Sequence, residues 1–286
     1  MRPPVANKTH YPNGVTLLDR SFEELFTHEK GPGALPSKYG EGHATKALIV
    51  PHGAHQLAGP AMAWAYKALA EDAVNDKLFI LVAQAQFSTA SGVTTETFQT
   101  PYGEVRTDQH VIRELIQKGS IQLNDEAHRQ ENSIEVQLPF LQFVFKRHME
   151  QIKIVPLLVN TDTDIAMLNA DIKETLMDQG KEATFIFISN FTSYGRDFHY
   201  VPFTEDIPEN IAKQDKLVLN ALQNQDKEAF DTALEETLIP LTGRSALELF
   251  FKYFSDNKVQ LEQYYVSGDI NGEYKKTVSY ASLVVK

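Results

Sequence analysis

Cysteine is missing altogether from these 286 residues. Its absence excludes disulfides, zinc–thiolate and iron–sulfur centres, and a cysteine nucleophile. Positive charge is also in short supply, since 27 basic residues against 38 acidic ones leave a net charge of −11. No basic stripe stands out, so neither nucleic acid nor an anionic membrane is expected as a partner. Long apolar runs are absent too: none is long enough to span a bilayer, and residues 1–7 carry no apolar signal core. A cytoplasmic location follows by default. The chain shows no internal repeat and no convincing linker, so residues 1–286 are expected to form a single domain.

What is present is a series of short apolar runs alternating with helical spacings. Ala47-Leu48-Ile49-Val50 leads into Pro51-His52-Gly53-Ala54-His55, and Gly59-Pro60 opens an alanine-rich stretch. This predicts a buried strand, a short loop and a helix with proline in its first turn. Buried strands are also expected at 78–83, 152–159 and 184–189, and closing strands at 259–267 and 277–285. Helices are expected near 108–118, 164–177, 209–223, 227–235 and 244–254. Residues 31–42 read as a glycine- and proline-rich loop. Residues 132–141 start a helix with Pro139 inside it, which should kink it. The pattern predicts an α/β fold, a three-layer α/β/α sandwich around a mostly parallel sheet. Ligands in such sheets sit at the loops leaving the C-terminal strand ends. That singles out His52 and His55, for which helix capping or a backbone bond is the competing role. The segment 84–89 is expected beside them.

Several blocks then fall in one order along nearly the whole chain: Ile49-Val50-Pro51-His52, Thr100-Pro101-Tyr102-Gly103-Glu104-Val105, Ser133-Ile134-Glu135-Val136-Gln137-Leu138-Pro139-Phe140-Leu141-Gln142, Ile154-Val155-Pro156-Leu157-Leu158-Val159, and Ser267-Gly268-Asp269 with Ser279-Tyr280-Ala281. Together they resemble the Memo family, protein B of the AmmeMemoRadiSam group. The resemblance implies a fold similar to class III extradiol (non-haem iron) dioxygenases. It also implies a pocket at the strand ends that gathers histidines, an aspartate and a cysteine, and a link to iron or copper and redox chemistry.

Set against the family motifs, this sequence departs at most of the implied ligands. Pro-His-Ala-Gly-Tyr reads Pro51-His52-Gly53-Ala54-His55, and Gly-Pro-Ser-His-His reads Val82-Ala83-Gln84-Ala85-Gln86. Glu-His-Ser reads Glu131-Asn132-Ser133. Ser-Ser-Asp-hydrophobic-X-His becomes Ser189-Asn190-Phe191-Thr192-Ser193 after Ile188, and the late cysteine is Thr242. Of the implied ligands, His52 remains. Carboxamide and hydroxyl oxygens bind iron, copper or zinc poorly. No metal cofactor is therefore expected, and a remaining triad would need His52, His55 and a carboxylate such as Glu131. The replacements keep hydrogen-bonding capacity while removing charge. They predict a non-catalytic protein that binds a small molecule or partner in a polar, uncharged pocket of His52, His55, Gln86, Asn132, Asn190, Ser193, Thr242 and Arg244. The competing readings are an enzyme, through that triad or with His52 as a lone base, and a decayed cavity closed by amides and water.

Other candidates carry less. Ser189 or Ser193 beside His52 lacks a Gly-X-Ser-X-Gly elbow and an orienting acid. Asp125, Glu126, His128 and Glu131 read as a solvated turn before a helix rather than a divalent-ion site. Arg244, opening a helix, fits a structural ion pair better than a bound anion. Residues 226–236 read as an amphipathic surface helix.

Overall fold

The computed structural model describes residues 1–37, 45–72, 78–88 and 90–286. In chain order the elements are α1 (Val15–Thr27), β1 (Ala47–Val50), α2 (His55–Glu71), β2 (Leu78–Gln84), β3 (Gly92–Val93), β4 (Phe98–Thr100), β5 (Gly103–Thr107), α3 (Gln109–Lys118), α4 (Asp125–Arg129) and α5 (Leu138–Val144). There follow β6 (Lys153–Val159), α6 (Ile165–Asp178), β7 (Thr184–Ile188), β8 (Ser193–Gly195), α7 (Ile207–Gln223), α8 (Lys227–Thr237), α9 (Arg244–Tyr253), β9 (Val259–Val266), α10 (Gly268–Asn271) and β10 (Lys276–Val285). The expected 31–42 loop lies partly outside the described residues, as does Thr89 of the expected 84–89 segment.

Side chains alternate along each strand, so one sheet builds two apolar layers. Leu48 and Val50 join Phe79, Leu81 and Ile186 under α1, α2 and α5. Ala47 and Ile49 join Ile80, Val82, Phe185 and Phe187 under α3, α6, α8 and α9. This is the three-layer α/β/α arrangement. The sheet runs β4-β5-β6-β2-β7-β1-β10-β8, with β3 on β6 and β9 on β10. From β5 to β1 neighbouring strands are parallel, whereas β4, β3, β10, β9 and β8 pair antiparallel on the flanks. Because β7 lies between β1 and β2, the exits of all three stand side by side.

Two prolines exchange the roles expected of them. Helix α2 begins at His55, so Pro60 is interior and forgoes its bond to the Gln56 carbonyl. The first turn closes ahead of the proline, with the Ala54 carbonyl accepting from the Leu57 and Ala58 amides. Pro139 is instead the second residue of α5, where its missing N–H is free anyway. Residues 135–137 form a separate 3₁₀ turn, so no long helix is kinked.

The N-terminal segment is tied down by one carboxylate. Fully buried Glu135 accepts from Arg2 Nη1 at 2.7 Å, the Tyr11 hydroxyl at 2.7 Å and the Ala6 amide at 2.8 Å. A buried ion pair is tolerable when its remaining lone pairs are satisfied in this way. The tie brings His10, whose carbonyl accepts from the His55 amide at 2.8 Å, to the strand-exit end of the sheet.

Candidate functional site

Residues 51–54 leave β1 outside any strand ladder, so their backbone groups need other partners. Asn190, at the exit of β7, supplies those of His52. Its Oδ1 accepts the His52 amide at 2.9 Å, and its Nδ2 donates to the His52 carbonyl at 3.0 Å. Thr242 completes the arrangement. Its Oγ1 accepts the Asn190 amide at 3.1 Å and lies 3.3 Å from His52 Nε2, to which its hydroxyl proton is available. The Thr242 amide in turn donates to the Asn190 carbonyl at 3.1 Å. Gly243 makes this approach possible. Its φ is +84°, and a Cβ there would meet the Ile188 carbonyl at 2.3 Å.

His52, Asn190 and Thr242 are thus brought together, and the other expected residues are placed elsewhere. His55 is 1% exposed, ringed by Tyr11, Phe22 and Phe140 at centroid distances of 5.5, 5.6 and 4.9 Å. Its Nε2 lies 2.9 Å from the Val136 carbonyl, which can only accept, so the proton sits on Nε2. Gln86 is exposed, and its Nε2 donates to the Gln84 carbonyl at 3.2 Å. Asn132 is half-buried, with its carbonyl accepting the Val136 amide. Ser193 is buried in β8 opposite Val278. Half-exposed Arg244 pairs with Asp231 at 3.5 Å and Glu248 at 3.6 Å.

The acidic cluster disperses in the same way. Asp125 accepts from Thr94, Glu126 pairs with Arg129, and His128 is buried against the Gly92 carbonyl. The Glu131 carboxylate is taken up by the Gln86 amide at 2.7 Å and the Ser133 amide at 2.9 Å. Ser189 donates to the Thr242 carbonyl at 2.5 Å.

His10 was not singled out in the sequence, although it influences both other histidines. Burial, helped by the charge of His10, lowers the pKa of His52 and His55 from 6.5 to about 4. For His55 the bond to Val136 works in the opposite direction. His10 lies some 40 residues upstream in sequence, roughly the distance of a separate supersecondary unit, and no local spacing announces it.

A Memo-like family model matches residues 2–284. The chain belongs to the Memo family. A MEMO1 family protein of Ignicoccus hospitalis is 30% identical to it, over 99% of this chain and 98% of its own length. Another, from Aeropyrum pernix, is 30% identical over 100% of this chain and 99% of its own. The crystal structure of an uncharacterized protein, JW3007 of Escherichia coli K12, matches with a TM-score of 0.54 at 14% identity, covering 85% of this chain and 100% of that one. That likeness concerns the fold alone.

Among the described residues no three histidine, aspartate or glutamate side chains converge to hold an ion. His52 Nε2 faces a hydroxyl, the Asn190 carboxamide is occupied at both ends, and His55 and Glu131 are engaged elsewhere.

Two outcomes are expected. Asn190→Asp keeps an acceptor for the His52 amide but sets a carboxylate against the His52 carbonyl, so urea unfolding at pH 7 should show a loss of about 1–3 kcal/mol; unchanged stability would show the donor end to be dispensable. His55 and His128 are each 1% exposed with pKa values near 4, against 6.5 unfolded. The unfolded chain therefore binds protons more readily. Stability is complete above pH 6.5 and declines toward pH 4, by an amount on the order of 3 kcal/mol between pH 7 and 5 for the pair. A flat unfolding midpoint across that window would contradict the assignment.

Proposed function

We propose that the chain works as a single domain that binds an uncharged small molecule or partner group at the strand exits, without a metal and without catalysis. The observation that carries this reading is the use of Asn190. Where the family motif has an aspartate, this side chain spends both of its polar atoms on the His52 backbone. A carboxamide committed in this way is no ligand for iron or copper. His52, with its pKa near 4, is neutral at pH 7 and a weak base for proton abstraction. What supports a retained binding role is the polarity of the exits. Gln84, Gln86, Ser88, Asn160 and Thr242 keep amides and hydroxyls there instead of apolar filling.

The test is calorimetric titration of the full chain with iron(II), copper(II) and zinc at pH 7. Binding weaker than about 10 µM for all three is expected, far from the tight association that protein metal sites show. Sub-micromolar binding that disappears in His52→Ala would overturn the reading.

A further inference from the structure

Where β2 and β6 end, the surface opens into a cleft of about 480 Å³ lined by Gln84, Gln86, Phe87, Ser88, Asn160 and Thr161. The two strands are parallel with Gln84 beside Val159, so their exit loops stand at one level. Three carboxamides face this region, and each is oriented by a bond at one end. Gln84 Oε1 accepts the Ser245 amide at 3.3 Å, which leaves its Nε2 to donate. Gln86 Nε2 is used on the Gln84 carbonyl and Asn160 Nδ2 on the Ser88 carbonyl, which leaves two amide oxygens to accept. Donors and acceptors are therefore offered side by side, the requirement of a ligand whose own groups both donate and accept. Hydroxyls are such groups.

Charge points the same way. Among the described residues, none of the lining side chains is ionisable. The nearby Glu131 carboxylate is 2% exposed and saturated by two backbone amides. Asp162, the residue after Thr161, is exposed and accepts from Ser91, so an anionic ligand in particular would lose hydration here and gain no counter-charge. Phe87 adds the apolar part. It is 63% exposed, and an aromatic ring left in water beside amides is suited to cover the C–H face of a ring compound. The volume has room for about one or two such rings.

We propose that this cleft binds a neutral, multiply hydroxylated ring compound, a sugar or cyclitol, with its hydroxyls on Gln84, Gln86 and Asn160 and one face on Phe87. The proposal rests on the reading that the strand exits hold a ligand rather than a metal.

The experiment is an amide-resolved NMR titration of the full chain with glucose, N-acetylglucosamine and myo-inositol, and with glucose 6-phosphate and glucosamine as charged comparators. Each is taken to about 50 mM, well above the ~1 mM affinity expected of so small a ligand. Saturable shifts at residues 84–88 and 160–161 with at least one neutral probe are expected. They should weaken about tenfold in Phe87→Ala and in Gln86→Ala, two exposed positions whose truncation leaves the fold intact. No saturable shift with any neutral probe, or stronger binding of a charged comparator, would overturn the proposal. Copper(II) is then added to the same sample. Quenching centred on His52, Asn190 and Thr242 would contradict the metal-free reading, while the sugar proposal is decided separately at residues 84–88 and 160–161.

Discussion

The strand-exit end of this protein depends on the two hydrogen bonds between the Asn190 carboxamide and the His52 backbone. The loop after β1 has no ladder partner, and a buried backbone donor and acceptor left unpaired would each cost about 1–3 kcal/mol. An amide satisfies both because it carries a donor and an acceptor in one plane. A carboxylate satisfies one and repels the other. Asparagine at this position is therefore a different piece of architecture from the aspartate of the family motif, although the two side chains have nearly the same shape. Thr242 accepts the Asn190 amide and faces the His52 ring, and Gly243 permits its approach, so the exits of β1 and β7 and the loop before α9 are joined by one polar network.

That network fixes where the remaining histidine and carboxylate side chains stand. A metal triad would need His52, His55 and a carboxylate to meet. The two histidines are only three positions apart, but the start of α2 intervenes and turns His55 into the aromatic layer with Tyr11, Phe22 and Phe140. Glu131 is held by two backbone amides. Each remaining donor has thus become a part of the scaffold. The polar surface left over lies one strand further along, at the β2 and β6 exits, where the carboxamides have one end tied and the other open.

Much of the fold was legible because buried strands announce themselves. Residues 47–50, 78–83 and 185–188 are continuous apolar runs, as a sheet covered on both faces requires. Family membership was legible from the order of its motif blocks. The antiparallel flanks were not, since pairing direction leaves no mark on a short run. Nor were the proline roles: whether Pro60 or Pro139 opens its helix depends on where the preceding turn closes. At the site, the departures from the family motifs were visible residue by residue, but what Asn190 does was not, because its partner is a backbone 138 residues away. Gln84 illustrates a signal that was present. It continues the even-numbered face of Ile80 and Val82, and that face packs against α9, whose Ser245 amide it receives.

Hydrogen exchange at the His52 backbone amide tests the central claim most directly. This amide lies outside every strand ladder, and Asn190 Oδ1 is its acceptor. The account predicts exchange slowed by about a thousandfold or more relative to an open loop, a protection set by opening of the clasp. Exchange of the His52 amide at the rate of an unprotected loop would contradict it.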